Sequence, residues 1–449
     1  MSYAAQTFVD NIDIGKFLKI YSSNGVFNNL STSSDMWKFF LKLKARDPAG
    51  RQLRYLLRTS YGAAAVQSLA AGTSGDYPAG ARSGLVEAIA QYKDFGMTVN
   101  IPRNLLNKTG NDLVQYADPL TEELDAKSIV AARIMSAQTQ GDGSGAVGVI
   151  ASATAVSGGA FTVTLSTTSA NAGRSHVGWF NEGDLFKIAD PDSTARSLTG
   201  ATYLKVTAID EDADTVTFEG NDGTLTAYGS TAADDIIYRI GTTPNDLTAI
   251  STNDYNTLSE CLVGMESLTA DDGRLVNGVT HSGAISGSIR DCDANPIDSS
   301  DFQKVLSKVK RRAGRGRYKY KNAFMYDTVY DALVESRETD RRFQSVEDGK
   351  RGVKMLGYQH GADFIEFLPD EYVSKQRIWI LPESKEVLEF HGKDFELVEP
   401  NPGQKFHLAK SDTSGRSHKR EMQSYLEGSA VIVVKHAAAI AVLKNFTAT

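Results

Sequence analysis

DPLTEELDAKSIVAARIMSAQTQGDGSG, residues 118–145, says more about the architecture of this chain than any other segment. Asp118 suits an N-cap and Pro119 the first helical position, and Glu122 and Glu123 sit near the positive end of the helix dipole. Leu120, Leu124, Ala131, Ile134 and Met135 recur at helical spacing. Gly141 and Gly143 then stop the helix where a positive φ is needed. The segment presents no catalytic group, so it reads as a framework element: one long helix closed by a glycine-acid turn.

Upstream, residues 1–71 read as an N-terminal arm carrying two short amphipathic helices. Ser34 caps the first, with Met36, Trp37, Phe40 and Leu41 on its apolar side; Asp47 and Pro48 open the second, with Leu53, Leu56 and Leu57 inward. Seven basic residues against Asp47 alone lie between Lys38 and Arg58, which fits nucleic acid, a solvated helix face or an acidic neighbour equally. Residues 72–112 open with GTSGDYPAGARSG and continue as two extended runs, Leu85 to Tyr92 and Met97 to Ile101, joined near Lys93 to Gly96 as a β-hairpin. Two strands are marginal alone and gain stability from other surfaces.

Downstream, residues 146–241 change character. Thr, Ser, Gly and Ala dominate, and short alternating strands appear at Phe161 to Leu165, Leu185 to Ala189, Tyr203 to Ile209 and Thr215 to Phe218. Regular short strands with turn signals predict a small antiparallel barrel or sandwich, an inserted domain dispensable for the fold of the remainder. After Gly241 an α/β pattern returns: helices at Asp301 to Arg312 and Thr328 to Glu335, and strands at Asn322 to Tyr326, Phe364 to Leu368 and Arg377 to Leu381. Ala430 to Leu443, interrupted by Lys435 and His436, is shorter than the roughly 18 to 20 residues of a membrane span and reads as two buried strands.

Composition bounds the function. The 449 residues hold 41% hydrophobic and 23% charged side chains with a net charge of −7, an ordinary globular balance that argues against a whole-protein nucleic-acid binder. Cys261 and Cys292 have no metal-ligand spacing and read as free thiols, and the N-terminus lacks the basic start and apolar run of a signal peptide. Gly143, Gly145 and Gly148 formally spell GxGxxG, but they follow a helix and lead into a strand, the reverse of what a dinucleotide needs. Asp210, Asp212 and Asp214 have the spacing of a calcium loop, yet Thr215 stands where that loop needs Gly and Asn221 where it needs Glu, so a solvated turn is the reading. Histidines 176, 281, 360, 391, 407, 418 and 436 show no ligand spacing. No residue is assigned a catalytic, cofactor-binding or metal-binding role.

The sharpest charge feature is the basic segment 304–321: Lys304, Lys308, Lys310, Arg311, Arg312, Arg315, Arg317, Lys319 and Lys321, with no acid and with Tyr318 and Tyr320 interleaved. It fits either nucleic acid or an acidic face of a neighbouring subunit.

The long helix closed by GDGSG, preceded by an extended stretch, resembles the spine helix of tailed-bacteriophage major capsid proteins, the Hong Kong 97 fold family. The order of the later elements is similar too. DFQKVLSKVKRRAG, NAFMYDT and VYDALVES take the places of the axial domain, GVKMLGYQ and ADFIEFLP carry the chain across it, IWILPESKEVLEFHGKDFELVE resembles the return to the peripheral domain, and EMQSYLEGSAVIVVKHAAAIAVLKNF its closing strands. The resemblance implies an α+β fold divided as arm 1–71, extended loop 72–112, spine helix 113–145, inserted barrel-like domain 146–241, peripheral strands and connection 242–300, axial domain 301–390, and return with closing strands 391–449.

It also implies a non-enzymatic structural protein without cofactor. Such a chain self-assembles as hexamers and pentamers into an icosahedral virion shell in the bacterial cytoplasm, around double-stranded DNA held by non-specific contacts and with no membrane. A separate scaffolding protein is implied because only about 71 residues precede the extended loop; a portal protein, and room for a decoration protein, are implied as well. An encapsulin-type nanocompartment is the alternative within the fold, and a nucleic-acid-binding protein using 304–321 the alternative outside it. Some members join a loop Lys to an Asn before the closing strands by an isopeptide bond. Glu421 stands at that Asn position here, so Lys93 is expected to form an inter-subunit salt bridge instead.

Overall fold

Ser34 opens the first helix, α1 (Asp35–Lys42), by accepting the Trp37 N–H on its hydroxyl at 3.1 Å. Met36, Trp37, Phe39 and Phe40 enter the main core, with Leu41 packed at its edge. The chain is seen here as a computed structural model that describes residues 34–45, 50–59, 84–102, 113–192, 194–228, 234–240, 261–283, 285–314, 318–338, 357–360, 363–398, 407–410 and 418–447. Asp47, Pro48, Arg315, Arg317 and Asn401 lie outside the described residues.

The second helix expected in the arm is a strand. β1 (Gln52–Arg58) pairs antiparallel with β2 (Leu85–Gln91), from Gln52↔Gln91 to Arg58↔Leu85. QLRYLLR supports both periods, and burial selects the period of two: Tyr55 and Leu57 turn inward with Ala88 and Ala90 against Val279, Val431 and Val433, while Leu56 is left outside. The expected hairpin of 72–112 is also replaced. β3 (Lys93–Pro102) follows β2 after Tyr92 alone and pairs with the strand His418–Val434, from Ala430↔Lys93 to Glu421↔Pro102. Ten residues of tertiary pairing override the weak turn signal of KDFG, and Gly96 is an ordinary extended residue. The ribbon is therefore β1–β2, and its connection straddles the boundary expected at residue 71.

Helix α2 (Leu113–Gln140) has 28 residues and spans about 42 Å at 1.5 Å per residue. It begins before Asp118, which is thus not its cap; Pro119 lies within the helix, where its missing N–H removes one backbone bond. Its end is as read only in part. Gly141 N–H still bonds the Ala137 carbonyl at 3.1 Å, and the left-handed residues are Gly143 (φ 78°) and Gly145 (φ 87°).

The next strands close on themselves. β4 (Ala146–Ala153), β5 (Ala160–Leu165), β6 (Leu185–Ala189), β8 (Leu204–Asp210), β9 (Thr215–Gly220) and β11 (Ile236–Arg239) form an antiparallel barrel in the order β11-β4-β5-β9-β8-β6, flanked by the small pair β7 (Leu198–Thr199) and β10 (Ala227–Tyr228). Phe161, Val163 and Leu165 alternate inward and meet Phe180, Phe186, Val216 and Phe218, a core separate from that of the rest of the chain.

Past α3 (Met265–Leu268), the small hairpin β12 (Leu275–Val276) and β13 (Val279–Thr280) leads to β14 (Ser288–Pro296). Asp298 caps α4 (Ser299–Ala313) by accepting the Asp301 N–H at 3.0 Å. β15 (Tyr320–Met325), α5 (Asp327–Glu338), β16 (Gly357–His360), β17 (Asp363–Pro369), β18 (Arg377–Pro382), β19 (Leu388–Val398), β20 (His407–Lys410), β21 (His418–Val434) and β22 (Ala441–Thr447) complete the chain. One mixed sheet runs β14-β22-β18-β15-β17-β16; another joins β19, β21 and β20, with β3 on the other edge of β21.

This corrects the expected grouping of 391–449. β22 inserts between β14 and β18, in the sheet of residues 320–382, because Ala441, Val442 and Leu443 are apolar in succession and only an inner strand covers both faces.

Candidate functional site

The barrel meets the body at a buried charged node built from the GDGSG turn. Asp142 folds the turn by accepting the Ser144 N–H at 2.8 Å, and its other carboxylate oxygen takes Arg174 of the β5–β6 connection at 2.6 Å. Arg274 approaches the same oxygen at 3.7 Å, donates to Ser267 Oγ at 2.8 Å and grips Asp272 at 3.0 and 2.6 Å. Ser267 in turn donates to the Asp142 carbonyl. Next to it Arg377, at the start of β18, holds Glu266 at 2.8 and 2.6 Å and reaches the Ser169 carbonyl at 2.8 Å.

Burial alone pushes the carboxyls of Asp142 and Glu266 up, but the facing guanidiniums outweigh it and hold both below the usual range. The three arginines Arg174, Arg274 and Arg377 thus face the three carboxylates Asp142, Glu266 and Asp272. Pairs this buried fix geometry more than they add net stability, and losing one partner costs about 3 kcal/mol or more.

A second seam lies along residues 370–377. Trp179 Nε1 donates to the Tyr372 carbonyl at 2.9 Å, and the His176 ring meets the Glu371 carbonyl at 2.9 Å. Lys375 binds Asp214 at 2.8 Å and the Glu211 carbonyl at 2.6 Å, and Tyr326 donates to Glu211 at 3.2 Å. The acid run 210–214 is therefore a docked turn between β8 and β9, closed by the Asp212 and Ala213 N–H groups on Asp210. Among the described residues no group of three His, Cys, Asp or Glu is placed to hold a metal.

The basic segment divides by use. Lys308 donates to the Ile289 carbonyl at 2.8 Å, and Arg312 to the carbonyls of Gly283, Ser286 and Gly287, so both cover the carbonyls of β14 and of the loop before it. Lys310, Arg311 and Arg312 occupy the last turn of α4, where cations complement the helix dipole. Tyr318 and Tyr320 are buried, with the Tyr320 hydroxyl on the Ala439 carbonyl at 2.8 Å, so neither is a stacking platform for bases. Lys304, Arg311, Lys319 and Lys321 remain at the surface, Lys321 paired to Glu383 at 3.1 Å.

The remaining candidates separate. Cys261 and Cys292 are both buried, and burial pushes the Cys292 thiol up to about 11. His391 sits against Glu389 at 3.2 Å and His436 against the Tyr318 hydroxyl at 3.3 Å; His360, His407 and His418 lie on β16, β20 and β21. Lys93, expected to form a salt bridge to a neighbouring subunit, is buried at the start of β3 beside Ala430. Glu421 pairs in register with Pro102, nine residues along β3 from Lys93 and about 30 Å away at strand rise. The outer face of the β1–β2 ribbon carries Leu56 and Leu85, 58% and 48% exposed, with Arg54 and Glu87 paired on the same face at 3.5 Å.

No family model matches the sequence, and no curated protein matches it. Among solved structures the chain is similar to the capsid asymmetric unit of cyanophage A-1(L), 9% identical with a TM-score of 0.46 over 100% of this chain and 96% of that one. It is similar to the capsid of a native GTA particle computed with C5 symmetry, 9% identical with a TM-score of 0.40 over 91% and 90%. A third likeness is to the holo-SrpI encapsulin complex from Synechococcus elongatus PCC 7942, 9% identical with a TM-score of 0.34 over 92% and 88%.

Proposed function

We propose that this chain is the major capsid protein of a tailed bacteriophage, self-assembling as hexamers and pentamers into an icosahedral shell around double-stranded DNA. The observation that carries the reading is the β1–β2 ribbon, which seats one face on its own subunit and holds Leu56 and Leu85 open to a second copy on the other. The α+β element order, from ribbon through the 28-residue helix to the mixed sheet, supports it. A separate scaffolding protein and a portal are proposed as partners on the same reading.

The barrel 146–241 is proposed as an insertion on the outer surface. It holds twelve acidic residues against the five basic residues Arg174, Lys187, Arg196, Lys205 and Arg239, a surplus equal to the whole chain's net charge of −7. A polyanion inside the shell repels that surplus, and the rest of the chain, neutral in sum, carries no such penalty. Excising 146–241 should leave a folded remainder by circular dichroism, weakened by about 3 kcal/mol because Asp142 loses its Arg174 partner. An unfolded remainder would sink the idea of a separable unit.

Electron microscopy of the expressed protein should show closed shells, and particles purified from infected cells should carry nuclease-resistant DNA. Boiled in detergent and reductant, those particles should release one band at the 48.6 kDa of the chain, since Glu421 lacks an amide leaving group. Open aggregates would overturn the shell reading, protein cargo would convert it to a nanocompartment, and a ladder of multiples would reveal a covalent bond from another Asn, Asn401 or Asn445.

A further inference from the structure

The node around Asp142 joins α2, the barrel, α3 and β18, and beside it lies an ionisable group that the node leaves unused. His281, just past β13, is 1% exposed, and neither of its ring nitrogens has a hydrogen-bond partner among the described residues. The backbone fixes the ring in place: His281 N–H donates to the Arg274 carbonyl at 2.9 Å and the Gly273 N–H donates back to the His281 carbonyl at 3.0 Å.

The charged groups acting on the ring are the Arg274 guanidinium and the Asp272 carboxylate. Asp272 is already gripped by Arg274 through both oxygens. Asp142 and Glu266 also act on Arg274 and are matched to Arg174 and Arg377. A proton on His281 would add a fourth cation to three arginines whose three carboxylates are all engaged. It would also be buried with no acceptor for either N–H among the described residues, a costly placement for an imidazolium.

We propose that His281 is an acid-sensitive latch on the weld between the barrel and the sheet body, compatible with the closed junction only as the neutral imidazole. Protonation is then coupled to local opening of residues 166–180 and 262–283. This inference stands whether or not the chain forms a shell.

The direction follows from linkage. Burial, and then the Arg274 charge, lower the ring's pKa from 6.5 to about 4 in the closed state. A lowered histidine contributes stability that is whole above about pH 6.5 and is lost as pH falls toward 4. Between pH 7 and pH 5 this site alone raises the opening constant by about 20-fold, from the two pKa values. His176, also lowered to about 4 mainly by burial, acts in the same direction at the Glu371 seam and must be separated from it.

The experiment is hydrogen exchange with mass spectrometry on the full-length, unassembled chain at pH 7 and pH 5, corrected for intrinsic rates, with residues 431–443 of the sheet core as the internal reference. In the native chain, opening of 166–180 and 262–283 should rise by 20-fold or more while 431–443 stay closed. In His281→Gln and His281→Phe, two non-titrating replacements of different shape, the rise should shrink by about 20-fold, and His176→Gln should retain the His281 component. The proposal falls if the native chain shows no rise, if 431–443 open in parallel, or if a folded His281 variant keeps the full rise.

Discussion

Gly264→Ala should destabilise the folded subunit by about 3 kcal/mol, a large effect for one methyl. Gly264 precedes α3 with an ordinary φ of −90°, so alanine's backbone preferences are not at issue. The contact is. A Cβ there would lie within 3 Å of three backbone carbonyl oxygens at the end of α2, those of Gln138, Gly141 and Thr139, the last at 2.7 Å. These oxygens belong to a helix end fixed by the Gly141 N–H on Ala137, the Asp142 N–H on Gly173 and the Leu262 N–H on the Gln138 side chain. Relief requires pulling α3 off α2, which breaks the Asp142 node as well. Overpacking costs about 1 to 3 kcal/mol and occasionally more, and three fixed carbonyls this close put Gly264 at the upper end, a large part of the roughly 5 to 15 kcal/mol that holds a domain together. Thermal unfolding by calorimetry should show a fall in Tm of many degrees or no soluble protein. Gly273→Ala, at φ 80° with nothing within 4 Å, is the control and should cost only about 1 kcal/mol. A Gly264→Ala protein melting with the native chain would show that the α2–α3 junction is loose.

What the sequence carried locally, the structure repeats. The Ser34 cap, the strands Phe161 to Leu165 and Leu185 to Ala189, and the helix from Asp301 appear within a residue or two because each has its own periodicity and its own punctuation. The misreadings share a cause. Gln52–Arg58 has three leucines that satisfy either period, and the choice is made by Val431 and Val433, nearly four hundred residues away. Lys93 to Gly96 offers a turn, and β21 overrides it.

The site was less legible still. Asp142 was visible only as part of a helix stop, since its partners Arg174 and Arg274 are brought to it by the barrel and by the segment after α3. The basic segment was legible as charge and not as use: that Lys308 and Arg312 would spend their donors on carbonyls of residues 283–289 depends on α4 lying beside β14. Tyr318 and Tyr320 carried a detectable signal, because alternation through KYK into NAFM marks them as inward residues of a strand.

Leu56→Asp with Leu85→Asp should abolish shell assembly while leaving the subunit folded. The two side chains lie on one face of the ribbon, diagonal to each other across the register Leu56↔Glu87 and Arg58↔Leu85. Neither contributes to the inner cluster of Tyr55, Leu57, Ala88 and Ala90 that seats the ribbon on Val431 and Val433, so the fold of the isolated subunit has little reason to change. Burying each leucine against a second copy is worth about 1.5 to 3 kcal/mol, and an aspartate in its place must be desolvated without a partner. The double variant should therefore weaken each subunit contact by 5 kcal/mol or more, roughly 10⁴-fold in affinity. Every subunit of a shell repeats the contact, so a loss of that size at each repeat leaves no closed particle at working concentrations. Size-exclusion chromatography and electron microscopy should show soluble subunits or small oligomers, with a far-ultraviolet circular dichroism spectrum matching the native chain. The conservative pair Leu56→Met with Leu85→Met, which keeps the apolar surface, should still assemble. Closed shells from the double aspartate would mean that the outer face of the ribbon stays open to solvent in the particle, and that the contacts building the shell lie elsewhere on the chain.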